Sequence, residues 1–192
     1  MTGKELKNLL EESGAILNGH FLLTSGRHSN RYIEKFRVLE KPDTLDKVCQ
    51  EMAAPYQNKD VQIVLGAAIG GILIAGGVGR HLGVKHIFTE RVSGKMELRR
   101  GFNLPEGIRV LIVEDIVTTG GSIFELIEVV KECNAEIIGI TSILDRNKEP
   151  IDFGFPYMPL VQYPVNSWSM DKCPQCLDKI EFTSRGRSGK KI

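Results

Sequence analysis

Glu114 and Asp115 stand side by side at the end of the apolar run 110–113, and Thr118, Thr119, Gly120, Gly121 and Ser122 follow closely. Side chains of these types in this order can hold a phosphorylated sugar. Carboxylates accept hydrogen bonds from sugar hydroxyls, or border a Mg²⁺ ion. Glycines let the backbone approach an anion, and hydroxyls add donors. A helix starting just after them offers unpaired N–H groups and the positive end of its dipole. Carboxylates repel a phosphate, so the acids and the loop divide the ligand between sugar and phosphate. The competing reading is an ordinary strand-to-helix turn in which Asp or Thr caps the helix. A Walker loop is excluded, because no Gly-Lys-Ser/Thr follows the glycines.

These residues need elements to position them. Residues 110–113 read as a strand buried on both faces, with the acids where it emerges at its C-terminal edge, and 123–131 as an amphipathic helix. A second such junction is the strand 61–65, the small residues 66–71, and a helix from Ile72 to about Leu82. Its backbone N–H groups can meet an anion. Close helix–sheet packing is the competing use of its glycines. Gly76, Gly77 and Gly79 are read as packing, while Gly70 and Gly71 stand between the two readings. No GxGxxG fits, so a dinucleotide fingerprint is excluded.

Further strands are expected at 136–144, ending in Asp145-Arg146, and near 158–162. Thr2 and Glu5 have capping-box spacing ahead of a helix with Leu6, Leu9 and Leu10 on one face, ended by Gly14. Pro42 opens another helix through about Met52. Strands alternating with helices give an α/β class, a doubly wound and mainly parallel sheet.

At 192 residues, 42% apolar and 26% charged, the chain is long enough for one domain with its own core. A net charge of +1 argues against a dedicated nucleic-acid binder. The uncharged stretch 63–79 is shorter than the ~20 residues of a membrane-spanning helix, so no membrane partner is expected. No signal peptide is legible, which makes a reducing cytoplasm the expected compartment. Cys173-Pro-Gln-Cys176 has the spacing of half a zinc site. Only one pair is present, and Cys49 and Cys133 fall in expected helices. A structural pair of thiols is therefore the expectation, unless a dimer brings two pairs together. The basic, Gly/Ser-rich residues 184–192 are expected to form a flexible tail.

The run 110–122 resembles the phosphoribosyl-pyrophosphate (PRPP) signature of type I phosphoribosyltransferases. Within that family, Phe21, Leu23, Ser25-Gly26, Ser29 and Tyr32 resemble the N-terminal segment of the orotate phosphoribosyltransferases. The resemblance covers the chain from about Glu5 to Cys176. It implies one domain, 1–183, with a small hood from about 1–40 and 150–183. It also implies the reaction of orotate with PRPP to give orotidine 5′-phosphate and pyrophosphate, with Mg²⁺, in pyrimidine synthesis. Glu114 and Asp115 would bind the ribose hydroxyls, and the loop at 118–122 the 5′-phosphate. Gly70 and Gly71 would lie in a pyrophosphate loop, often with a strained or cis peptide. Arg91 and Lys95 would close over the pyrophosphate from an arm that commonly reaches into the other subunit of a homodimer. Arg99 or Arg100 would substitute for lysines that this chain replaces with Thr24 and Gly70. No direct protein ligand to the metal is assigned. An Asp-Arg pair at a strand end is often a plain salt bridge. In this family's context Arg146 pairs instead with the orotate carboxylate, beside Thr118. A purine-type phosphoribosyltransferase, or a PRPP-binding transcriptional regulator of the same fold, would share the signature.

Overall fold

The computed structural model describes residues 3–184 other than 24 and 150. The first helix, α1 (Gly3–Glu12), buries Leu6 and Leu10 as their spacing requires. Thr2, the expected capping partner of Glu5, lies outside the described residues. An antiparallel hairpin follows, made of β1 (Ile16–Leu22) and β2 (His28–Ile33). Beyond it come the single turn α2 (Phe36–Leu39) and then α3 (Pro42–Ala53). Pro42 starts that helix where its missing N–H would have no partner.

A βαβ unit comes next, with β3 (Ile63–Ala67), α4 (Gly70–Leu82) and β4 (Lys85–Val92). Ser93 and Gly94, both at positive φ, turn β4 back into β5 (Lys95–Leu98). Two such residues in a two-residue loop match the twist of a tight hairpin. The second unit is β6 (Arg109–Val117), α5 (Gly121–Glu132), β7 (Glu136–Asp145) and β8 (Tyr157–Gln162). The chain closes with α6 (Pro174–Leu177) and the two-residue β9 (Thr183–Ser184).

Six strands form the main sheet in the order β5-β4-β3-β6-β7-β8, parallel except for β5. Its central strands are buried on both faces, and alternate residues serve different cores. Val64, Leu111 and Val113 join α1, α3 and α4 on one side. Ile63, Leu65, Val110 and Ile112 join α5 on the other. This is the expected doubly wound α/β architecture. A separate sheet, β2-β1-β9, stands apart from it. Ser184 pairs there with Leu22, and residues 185–192 of the basic tail lie outside the described residues.

Three boundaries differ from expectation. β6 runs on through Glu114 and Asp115 to Val117, because β7 continues alongside, pairing Glu114 with Ser142 and Val117 with Asp145. A ladder that satisfies backbone groups outweighs the local preference of the side chains. Likewise α4 begins at Gly70 and α5 at Gly121 rather than at Ile72 and Ile123. First-turn N–H groups have no intrahelical partner, so these glycines join the helices with their amides free.

Candidate active site

Because β3 and β6 are neighbours, their two strand-to-helix loops leave the same sheet edge side by side. A cavity of ≈ 390 Å³ lies over the β6 loop, lined by residues 116–123 with Glu114, Arg91, Glu125 and Ser25 around it. A larger cleft of ≈ 530 Å³ between α1 and α3 shares none of these residues. Thr118 and Thr119 are exposed. Gly120 precedes α5 at φ +75°, and a side chain there would press on the Phe153 ring at 2.8 Å. No side chain of the N-cap residue closes α5. Its first amides, with the Thr and Ser122 hydroxyls, can therefore face an anion.

Below the loop, Glu114 and Asp115 are buried, 7% and 4% exposed. Asp115 accepts a hydrogen bond from Lys35 Nζ at 2.6 Å through Oδ2, and from the Ile116 N–H at 2.6 Å through Oδ1. Its own N–H donates to Glu114 Oε1 at 2.9 Å. Burial, reinforced by the neighbouring Asp115 charge, holds the Glu114 carboxyl well above the usual carboxylate range. That same N–H and Lys35 pull the other way but do not win.

Lys35 escapes the sequence reading, which assigns no role to any cation before Arg91. A methyl group on Gly70 would overlap the Asp115 carboxylate and lie 3.3 Å from Lys35 Nζ. An ammonium thus reaches the space beside Gly70 from another element of the chain. Gly71 instead packs on the backbone of Gly66, 3.2 Å from where its own Cβ would stand. The two glycines, equal in the sequence, divide between site and packing. Gly77 and Gly79 crowd Cys49 and His86 as read, whereas Gly76 leaves room for a side chain. The peptide between Ala68 and Ile69 is cis. Thr24, the other position named for a missing lysine, lies outside the described residues.

The basic residues of β4 and β5 separate. Arg91 reaches the cavity rim, donating to Glu125 Oε2 and to the Gly94 carbonyl, both at 2.6 Å. Lys95, Arg99 and Arg100 are exposed and line no part of the cavity. Arg100 grips Glu90 through two bonds of 2.9 Å.

Arg146 follows β7, its N–H bonded to the Val117 carbonyl and its carbonyl to the Val165 N–H. The plain salt bridge with Asp145 does not form. Asp145 Oδ1 accepts instead from the backbone and side chain of Asn147, at 2.8 and 2.7 Å. Burial lowers the pKa of the Arg146 guanidinium, with Tyr32 opposing. Its Nε is buried without a hydrogen-bond partner among the described residues. Orphaned buried donors are rare and costly, which marks this one as waiting for an acceptor. The β1–β2 hairpin that carries Tyr32 is sewn to the segment after β8. Arg31 donates to the Tyr163 hydroxyl, Ser29 to the Asn166 carbonyl and Arg27 to the Ser167 carbonyl, at 2.8, 2.8 and 2.6 Å.

Fold and sheet edge define the class, a doubly wound α/β protein with two adjacent glycine-bearing strand-to-helix loops. The family model of the phosphoribosyl transferase domain matches residues 43–158. Orotate phosphoribosyltransferase of Desulforamulus reducens is 46% identical over 176 residues, 92% of each chain. That of Thermotoga maritima is 40% identical over 186 residues, 97% of this chain and all of the other. Among solved structures, the orotate phosphoribosyltransferase of Aeropyrum pernix superposes with a TM-score of 0.69 at 25% identity, covering 82% of this chain and 93% of that one. The chain belongs to the orotate phosphoribosyltransferase family.

Proposed function

We propose that this chain transfers the 5-phosphoribosyl group of PRPP to orotate, giving orotidine 5′-phosphate and pyrophosphate. It is by this reading a pentosyltransferase of pyrimidine synthesis. The observation that carries the choice of base is Arg146, a half-buried guanidinium at the end of the strand next to the phosphate loop, whose buried Nε–H has no partner among the described residues. A planar fork suits a planar carboxylate, and Thr118 is its neighbour on the β6 side.

In the reaction a ring nitrogen of orotate forms a bond to ribose C1 as the C1–O bond breaks. The electron pair leaves with pyrophosphate. Positive charge builds on the ribose and negative charge on the leaving group, so catalysis is positioning and electrostatics rather than a side-chain nucleophile. Residues 118–122 hold the 5′-phosphate. Asp115 accepts from a ribose hydroxyl, and Glu114, kept protonated by its burial, can donate as well as accept. Lys35 and Arg91 supply positive charge near the leaving group, at Gly70 and at the rim.

The donor set fits Mg²⁺ that arrives on PRPP, since Asp115 offers a hard oxygen but is already paired with Lys35 and no oxygen cage surrounds it among the described residues. Asp115 would be the carboxylate nearest to it, and Mg²⁺ would supply positive charge to the departing pyrophosphate. The exposed Lys95, Arg99 and Arg100 serve the site of a second subunit in a homodimer, and a reducing cytoplasm suits four unpaired cysteines. Among the described residues no helix is long and apolar enough to cross a membrane.

The test is the ultraviolet absorbance of orotate mixed with PRPP, Mg²⁺ and the protein. A PRPP-dependent fall with pyrophosphate release is the expected result. No fall with orotate, together with turnover of a purine base, would overturn the choice of base. Binding of PRPP without turnover of any base would overturn the enzyme in favour of a regulator. Light scattering on the same sample reads the dimer.

A further inference from the structure

The transferase chemistry leaves one cluster unused. His20 on β1 and His28 on β2 face Cys173 and Cys176, which bracket the first turn of α6. Both histidines and Cys173 are buried, and Cys176 is half-buried. His20 Nε2 lies 2.8 Å from His28 Nδ1 and 3.5 Å from each sulfur, and Cys176 Sγ lies 3.4 Å from His28 Nδ1. All four ligand atoms fall within 4.8 Å of one another, the one such group of three or more His, Cys, Asp or Glu among the described residues.

We propose that His20, His28, Cys173 and Cys176 bind one Zn²⁺ in a structural, tetrahedral site that staples the C-terminal segment to the β1–β2 hairpin.

Three observations converge on it. The first is geometric. Ligand bonds of about 2.0–2.1 Å to nitrogen and 2.3 Å to sulfur give tetrahedron edges of roughly 3.5 Å between N and S and 3.3 Å between the nitrogens. Three of the four N–S separations already have this length, and the imidazoles need to part by only about half an ångström. The second is orientation. His20 Nδ1 lies 2.7 Å from the Ile180 carbonyl, an acceptor, so Nδ1 carries the proton and Nε2 turns its lone pair to the sulfurs. The third is chemical. Two imidazoles and two thiols with no carboxylate are donors for zinc, not for Mg²⁺ or Ca²⁺. Two thiolates cancel the charge of Zn²⁺, so the filled site is neutral and can stay buried, and two thiol protons are released on binding.

The staple has work to do. The small sheet β2-β1-β9 contributes little apolar core, and β9 pairs through only two residues. Small layers of this kind need a cross-link. The sequence shows one Cys pair with the spacing of half a site, for which a structural pair of thiols is the expectation. The other half is a pair of histidines more than a hundred residues earlier, supplied by the hairpin register that sets Leu22 opposite His28. No second copy of the chain is required, and the site stands or falls independently of which base the enzyme uses.

The full-length chain is produced in zinc-supplemented medium, kept reduced, purified without chelator and assayed by elemental analysis. About one zinc per chain is expected, falling below roughly 0.2 in the Cys173→Ser/Cys176→Ser variant and unchanged in Cys49→Ser. If the double variant fails to fold, cobalt exchanged into the wild-type protein decides. Intense visible bands of tetrahedral cobalt with thiolate charge transfer support the site. Weak octahedral bands overturn it. A folded, reduced wild-type chain holding less than roughly 0.2 zinc, or a folded double variant that keeps its zinc, also overturns it.

Discussion

At the C-terminal edge of β3 and β6 the groups offered to a ligand are amides, hydroxyls and glycine surfaces, fixed by strands buried on both faces. Around the β1–β2 hairpin they are long side chains, held by polar contacts between segments some 140 residues apart. Each such contact is worth only about 1 kcal/mol, and less where exposed. The edge is thus positioned by the core, whereas the hairpin, which lends Ile16 and Ile33 to one core, depends in addition on a polar seam. On the proposed function, anion binding would belong to the strand-built edge and base selection to the region where the hairpin meets it. Arg146 joins the two, rooted on β7 but facing Tyr32 of the hairpin.

Variants can break this division. The largest effect is expected for Arg146→Ala, which removes a half-buried fork and, on the proposed function, leaves the substrate carboxylate unpaired. Losses of about 2–5 kcal/mol for such truncations correspond to roughly 30- to 5,000-fold in kcat/KM for orotate. PRPP affinity by calorimetry should stay within about twofold, since the anion loops depend on the main sheet. Loss of both would show that the two regions are not separable. Next is Gly70→Ala, whose methyl group must displace the Asp115 carboxylate and its Lys35 partner. A fall of about 10–10²-fold in kcat/KM with a modest change in Tm is expected, because the damage is to positioning. Gly71→Ala should show the reverse, a lower Tm, because its methyl group meets the Gly66 backbone.

This contrast also governs what was legible in advance. The strands 61–65, 110–113 and 136–144 and the 118–122 loop follow from apolar runs, glycines and hydroxyls contiguous in sequence, whereas the order of the strands in the sheet does not. Local pattern is enough where one strand, one loop and one helix make the feature. Lys35 was not legible, because its value comes from the space left by Gly70, 35 residues on. Nor were the histidines facing Cys173 and Cys176, since hairpin register and a distant tail bring them together. The Asp145-Arg146 pair misleads in the same way. Neighbours in sequence point apart at a strand end, and Asp145 turns to Asn147.

Lys35→Gln sharpens the comparison from the other side, because Lys35 follows the hairpin but acts at the sheet edge. Its side chain is 34% exposed, so solvent screens the pair and discounts its value to about 1 kcal/mol. The variant should raise KM for PRPP by about fivefold with little change for orotate, and Lys35→Arg should restore most of it. An equal rise for both substrates would place Lys35 with the hairpin instead.

The smallest effect isolates the edge alone. In the unfolded chain Glu114 titrates near the ordinary value of about 4.3. In the folded chain burial and the Asp115 charge raise it. Between those two values the native state keeps a proton that the unfolded state has released. Stability from this group is therefore complete below the unfolded value and is lost as pH rises through the folded one. Glutamine cannot titrate, so Glu114→Gln should remove that slope and lift Tm by a few degrees at the alkaline end of the series. Parallel Tm curves for the two proteins would mean that Glu114 is ionised in the folded state. Activity gives a second reading. A protonated Glu and a Gln both donate and accept, so Glu114→Gln should keep kcat/KM within about tenfold, whereas Asp115→Asn, which removes a charge held by Lys35, should not. If Glu114→Gln instead costs as much as Asp115→Asn, the pair acts as two ionised carboxylates, and the buried edge is more polar than its strands imply.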